Sequence, residues 1–109
     1  MARRTGATAG QGRLELKQSA KEVNAFLQGA AFLDALDATG RDPAARAAAI
    51  ADPKKWMRQA KLAPPPRASV SLEERRSTAR VIGFCVTVCV TRNGYTFCAT
   101  VCVIIRAAL

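Results

Sequence analysis

The segment that decides the fold is residues 81–109, VIGFCVTVCVTRNGYTFCATVCVIIRAAL, which holds all four cysteines and only two charged residues. Asn93-Gly94 at its centre predicts a two-residue type I′ turn, because both central residues of that turn need positive φ. The turn predicts a two-stranded antiparallel β-hairpin. Identical residues then face each other across the strands, in the pairs Cys85–Cys102, Cys89–Cys98, Thr87–Thr100 and Thr91–Thr96.

In this register both cysteine pairs fall at non-hydrogen-bonded sites, where the α-carbons lie closest and a cross-strand disulfide fits. Bonds within each Cys-x-x-x-Cys are excluded, because residues four apart on a strand are separated by about 13 Å. Four cysteines also raise the possibility of a zinc site, but the flat β-branched flanks lack the turns of a zinc knuckle. A helical hairpin is a further alternative that Val, Thr, Ile and Phe disfavour. We therefore predict two disulfides, no metal and no cofactor.

Alternation of side chains gives the hairpin one Thr/Cys face and one apolar face. The N-terminal part offers few large apolar residues to cover the apolar face. An exposed apolar face of this size marks a membrane or self-assembly surface, and the alternative is that it covers the helices of a small α+β domain. The residues of this predicted membrane or assembly face are Ile82, Phe84, Val86, Val88, Val90, Phe97, Val101, Val103 and Ile105.

The N-terminal part is charged and alanine-rich, so the expected fold class is α+β, a helical region followed by the hairpin. Residues 1–12 have no apolar periodicity and predict a flexible basic tail. Residues 13–63 predict helices: an apolar stripe runs through residues 14–38, and Asp42-Pro43 and Asp52-Pro53 each offer an N-cap followed by proline. Residues 64–80 predict a proline-rich linker and a short helix that begins at the capping box Ser71-Leu-Glu-Glu74.

Composition excludes several classes of function. The chain has no histidine and shows no catalytic constellation, so we do not expect an enzyme. Of its 17 basic residues, 15 precede residue 81, and they are scattered among few aromatic residues, which disfavours a nucleic-acid-binding surface. We find no signal-peptide h-region and no run of 18 apolar residues.

Asp42-Pro-Ala-Ala-Arg-Ala-Ala-Ala-Ile-Ala-Asp-Pro53 resembles the leader of ribosomally synthesised peptide precursors related to the nitrile hydratase α subunit, the proteusin-like leaders. The continuation through Lys54–Leu62, the prolines and Val70–Glu74 is similar in layout. Ala45 stands where these leaders carry Phe, and no Gly-Gly cleavage site precedes residue 81.

The resemblance implies a division of the chain into a leader and a core peptide. A leader is recognised by modification enzymes and an exporter, here through Asp42, Pro43, Arg46, Ile50, Asp52, Pro53 and Trp56. In the core, Thr87, Thr91, Thr96 and Thr100 are candidates for dehydration and thioether formation with the cysteines, or for azoline formation. The precursor would be made in the cytoplasm and the core exported.

The sequence thus predicts the precursor of a membrane-active, antimicrobial peptide. Its core adsorbs on an anionic membrane surface through Arg92 and Arg106. One alternative is a self-assembling protein, a homo-oligomer that forms a pore or fibre through the apolar hairpin face. A small basic nucleic-acid-binding protein is the remaining alternative.

Overall fold

The structure, a computed structural model, describes residues 2–76 and 80–106 and has four helices followed by three strands. The mixed α+β class is therefore confirmed. The helices are α1 (Ala2–Leu27), α2 (Ala30–Gly40), α3 (Pro43–Ala51) and α4 (Pro53–Gln59), and the strands are β1 (Ala68–Arg76), β2 (Val81–Arg92) and β3 (Tyr95–Arg106).

The hairpin forms in the predicted register. Strands β2 and β3 pair antiparallel from Val81–Arg106 to Arg92–Tyr95. Asn93 and Gly94 at the turn have φ of 48° and 85°, the positive values that a type I′ turn requires.

A third strand joins the hairpin, where a short helix from Ser71 is expected, and that expectation is wrong. The proline-rich stretch before Ala68 forms neither helix nor strand, as a linker does, and residues 77–79 of the predicted segment lie outside the described residues. β1 pairs antiparallel with β2, which places β2 in the centre of a three-stranded sheet. The segment around Ser71 fits both a capping box and a strand, because Val70 and Leu72 alternate with polar residues. Pairing with β2 satisfies backbone groups that the hairpin alone leaves open, and it buries Leu72.

The two Asp-Pro helix starts are confirmed. The Asp42 carboxylate accepts a hydrogen bond from the Ala44 amide at 3.0 Å, and the Asp52 carboxylate accepts one from the Lys55 amide at 3.1 Å. Each proline occupies the first turn of its helix, where no amide hydrogen is needed.

Two helix boundaries differ from expectation. The apolar stripe over 14–38 is split, because the chain leaves the helical conformation at Gly29, with φ −66° and ψ 137°. Residues 1–12 were expected to form a flexible tail, but α1 begins at Ala2. The three glycines of this segment disfavour a helix, so propensity does not explain the early start. The part of α1 that packs on the sheet supplies a nucleus from which the helix extends.

The helices pack on one face of the sheet, where the core lies. α1 contacts β3 and β2, whereas α3 and α4 contact β1. The apolar face of the hairpin therefore covers the helices, as in the α+β alternative, and in the intact chain it is not the open surface that we expected. Its β2 residues are all buried, with relative exposures between 0% and 7% (Ile82, Phe84, Val86, Val88 and Val90).

Candidate functional site

The candidate site is the disulfide-linked hairpin together with the helices that cover it. Disulfides join Cys85 to Cys102 and Cys89 to Cys98, as the register predicted. The paired α-carbons lie 4.0 and 4.1 Å apart, as expected for non-hydrogen-bonded sites. Both bonds join β2 to β3, and among the described residues no cysteine is free.

The four threonines lie on the outer face in two hydroxyl pairs. The Oγ1 atoms of Thr87 and Thr100 are 2.8 Å apart, and those of Thr91 and Thr96 are also 2.8 Å apart. The fold pairs each cysteine with a cysteine and each threonine with a threonine. All four cysteine sulfurs are therefore already in disulfide bonds. Dehydration or cyclisation of the threonines stays a prediction.

On the inner face, burial falls from the central strand to the edge. The β3 residues Phe97, Val101, Val103 and Ile105 pack against the core but are only half-buried. Glycine allows a helix to approach β3 closely, because a Cβ at Gly40 would lie 3.0 Å from Ile105 Cδ1. The cover over the hairpin thus uses small residues as well as large apolar ones.

An ion pair fastens the turn end of the hairpin to α1. Arg92 Nη2 donates a hydrogen bond to Glu22 Oε2 at 2.6 Å. This hydrogen bond from Arg92 lowers the pKa of Glu22 and raises that of Arg92. Nothing in the sequence pattern singles out Glu22, since an ion pair between residues 70 positions apart has no local signal.

The residues predicted for leader recognition divide into buried and accessible ones. Arg46 is buried, and it donates to Glu74 Oε1 at 2.6 Å and to the Gly40 carbonyl oxygen at 2.5 Å. Trp56 is also buried, and its indole Nε1 donates to Thr39 Oγ1 at 2.8 Å. These two side chains therefore hold the helices and β1 together.

The other predicted leader residues are more accessible. Asp42, Asp52 and Pro43 are exposed, and Ile50 and Pro53 are half-buried. Pro43 and Ile50 lie with Arg46 along a cleft of about 400 Å³ between α3 and β1, which Glu74 and Arg76 also line. This cleft brings Pro43 and Ile50 to one accessible surface, which the buried Arg46 also lines.

Two further features bear on the kind of site. Within residues 2–76 and 80–106, no group of His, Cys, Asp or Glu side chains is arranged to hold a metal ion. Two disulfides fit an oxidising environment, such as the extracellular space.

None of the helices among the described residues has the length and apolar character needed to span a membrane.

Comparison with protein-family models, with curated proteins and with solved structures finds no match to this chain.

Proposed function

We propose that the chain is the precursor of a membrane-active, antimicrobial peptide whose core is residues 81–109, the segment that contains the β2–β3 hairpin. One observation carries this proposal. The apolar face of a covalently closed hairpin is covered by N-terminal helices of the same chain.

The covalent links support a separable hairpin. Both disulfides lie within the hairpin, and among the described residues no disulfide joins it to α1–α4 or β1. A single cut between β1 and β2 would leave the two parts joined only by non-covalent contacts. An isolated two-stranded ribbon is marginal in water, and cross-links counter that weakness.

Removal of the helices would expose a face suited to a lipid surface. The β2 part of that face holds five large apolar side chains, which are now buried. The core has no acidic residue, and its two cationic side chains, Arg92 and Arg106, lie at opposite ends of the hairpin. Apolar burial combined with cationic attraction is how amphipathic peptides bind anionic membranes.

The helical part then has two roles in the proposal. It keeps the apolar face away from membranes of the producing cell until cleavage, because the same side chains cannot pack on helices and lipid at once. Its cleft between α3 and β1, lined by Pro43, Arg46 and Ile50, offers a surface for modification enzymes and an exporter. The protein itself has no catalytic role in this scheme, and the oxidised core is exported.

Dye leakage from vesicles rich in anionic lipid tests this proposal. We would replace residues 77–79 with the recognition sequence of a specific protease, then compare intact protein, cleaved protein and purified hairpin with its disulfides formed. The hairpin should cause leakage at micromolar concentration, and the intact protein should cause little. The matched controls are hairpins carrying Val88→Ser on the apolar face and Thr91→Ser on the outer face.

Val88→Ser should weaken leakage, whereas Thr91→Ser should not. Equal leakage by intact protein and hairpin would contradict the covering role. A purified hairpin inert towards vesicles, both oxidised and reduced, would exclude the membrane-active function.

A further inference from the structure

The two edges of the sheet differ in how they resist pairing with another strand. The β1 edge carries four consecutive charged residues, Glu73–Arg76, and a proline run precedes the strand. Charges and nearby prolines are devices that block edge-to-edge association. The β3 edge has none of them, because no charged residue and no proline lies between Tyr95 and Arg106. Of the two edges of the sheet, the β3 edge is therefore the less protected against pairing with a strand of another chain.

Register shows which backbone groups the β3 edge offers. In an antiparallel pair, residues alternate between groups that bond the partner strand and groups that point away from it. The close α-carbons of the disulfide pairs show that Cys98 and Cys102 lie at sites not bonded to β2. Thr96, Thr100 and Ile104 also lie at sites not bonded to β2, because such sites fall on every second residue. Within the described part of the chain, no helix or loop amide or carbonyl bonds to the backbone of these five residues.

The sequence of β3 is nearly self-complementary about its midpoint. Two antiparallel copies centred on Thr100 would align Thr100 with its counterpart and Cys98 with Cys102. Cross-strand partners then lie on matching faces, because side chains alternate in both copies. On the inner face Ala99 aligns with Val101 and Phe97 with Val103, both apolar pairs, and Tyr95 aligns with Ile105.

We propose that the β3 edge binds the β3 edge of a second copy of this chain, forming a two-fold symmetric, six-stranded antiparallel sheet. The burial gradient supports a second copy as the occupant. Apolar residues of β3 remain half-buried, whereas their β2 partners have exposures of at most 7%. A second strand would cover that apolar rim. This inference does not depend on the proposed precursor function. The surface involved is the backbone edge of β3, which is distinct from the apolar face of the hairpin.

Hydrogen exchange on the full-length, oxidised chain gives a signature specific to the edge. As protein concentration rises to about 1 mM, a range that detects even weak dimers, the amides of Thr96, Cys98, Thr100 and Cys102 should become protected. The neighbouring amide of Val101, which bonds β2, should be protected at every concentration. Sedimentation equilibrium over the same range should show a monomer–dimer equilibrium.

The test variant is Thr100→Lys, which places two cations opposite each other at the two-fold axis. Its matched control is Ser71→Lys, because Ser71, Thr87 and Thr100 lie in one row on the outer face and Ser71 stands at the opposite edge. Thr100→Lys should raise the dissociation constant at least tenfold, and Ser71→Lys should leave it unchanged.

Three outcomes would overturn the inference. One is a wild-type chain that stays monomeric throughout, and another is an equal loss of dimer in both lysine variants. The third is a dimer in which the edge amides exchange as fast as in the monomer, which would indicate contact through another surface. The hydrogen-exchange measurement uses the wild-type chain, so it tests the inference even if a lysine variant fails to fold.

Discussion

Val88→Ala is the substitution that most directly measures whether the apolar hairpin face is core in the intact chain. Val88 lies on the central strand between Val70 and Ala99, and its exposure is 0%. Removing its two methyl groups loses about 1.6 kcal/mol of transfer free energy, at about 0.8 kcal/mol per buried group. The cavity left among packed neighbours raises the expected loss of unfolding free energy to about 2–3 kcal/mol.

Ile104→Ala is the matched control, because it also replaces a β-branched strand residue by alanine. Both changes lose similar strand propensity, but Ile104 lies on the outer face with an exposure of 63%. We expect a loss of about 0.5 kcal/mol for Ile104→Ala, although this change removes more carbon atoms. Packing against the helices thus accounts for a difference of about 2 kcal/mol between the two variants.

Urea denaturation of the oxidised, full-length proteins measures this difference. With the slope of about 1–1.5 kcal/mol/M expected for a small domain, Val88→Ala should lower the midpoint by about 1.5 M more than Ile104→Ala. Equal midpoints for the two variants would refute the covered-face arrangement. A lower midpoint for Ile104→Ala would show that the opposite face of the sheet is the packed one.

Three further predictions follow from single contacts. Replacing Cys85 and Cys102 together by alanine should cost about 3 kcal/mol of unfolding free energy, because their bond spans 17 residues; urea denaturation measures the loss, and a midpoint unchanged from wild type would contradict it. Asp52→Ala should cost about 1 kcal/mol through loss of the α4 N-cap, with faster amide exchange in the first turn of α4 as the local readout. Because the hydrogen bond from Arg92 lowers the pKa of Glu22, this carboxylate stabilises the fold at neutral pH, and the contribution is lost as pH falls through the lowered pKa. Glu22→Gln should therefore flatten the dependence of the urea midpoint on pH in the acid range, and an unchanged acid dependence would show that the ion pair contributes nothing.

The hairpin could be predicted from sequence because its determinants are local. Asn93-Gly94 sets the turn, and the turn alone sets the register along both strands. The disulfide pairing then follows from that register. The Asp42 and Asp52 caps were predictable for the same reason, since a cap and the proline after it are adjacent in sequence.

Strand β1 could not be predicted from the sequence, because the contacts that determine it join residues far apart in the chain. The residues from Ser71 to Glu74 satisfy a capping box as well as a strand pattern, and neither pattern contains information about β2. The decisive contacts are distant, since Glu74 accepts from Arg46, 28 positions earlier. Tertiary pairing overrides the local helix signal in such a segment.

A count of large apolar residues underestimates how well the N-terminal helices cover the apolar face. Small residues also form a cover, because they let backbones approach. Gly40 shows this, since any side chain there would press on Ile105 and on Val103, whose Cγ2 would lie 3.3 Å away from a Cβ. Which small residues face the sheet depends on helix placement, which a single sequence does not determine.

Strict alternation along β3 has a consequence for how this segment can change. Each odd-numbered residue from Phe97 to Ile105 faces the helices, and each even-numbered residue from Thr96 to Ile104 faces outward. Neighbouring residues of β3 are therefore under different requirements. The odd-numbered residues must pack in the folded chain, and the even-numbered residues depend on what contacts the outer surface. A library that randomises Thr96, Thr100 and Ile104 while keeping the inner residues and the cysteines would diversify the outer surface on an unchanged scaffold.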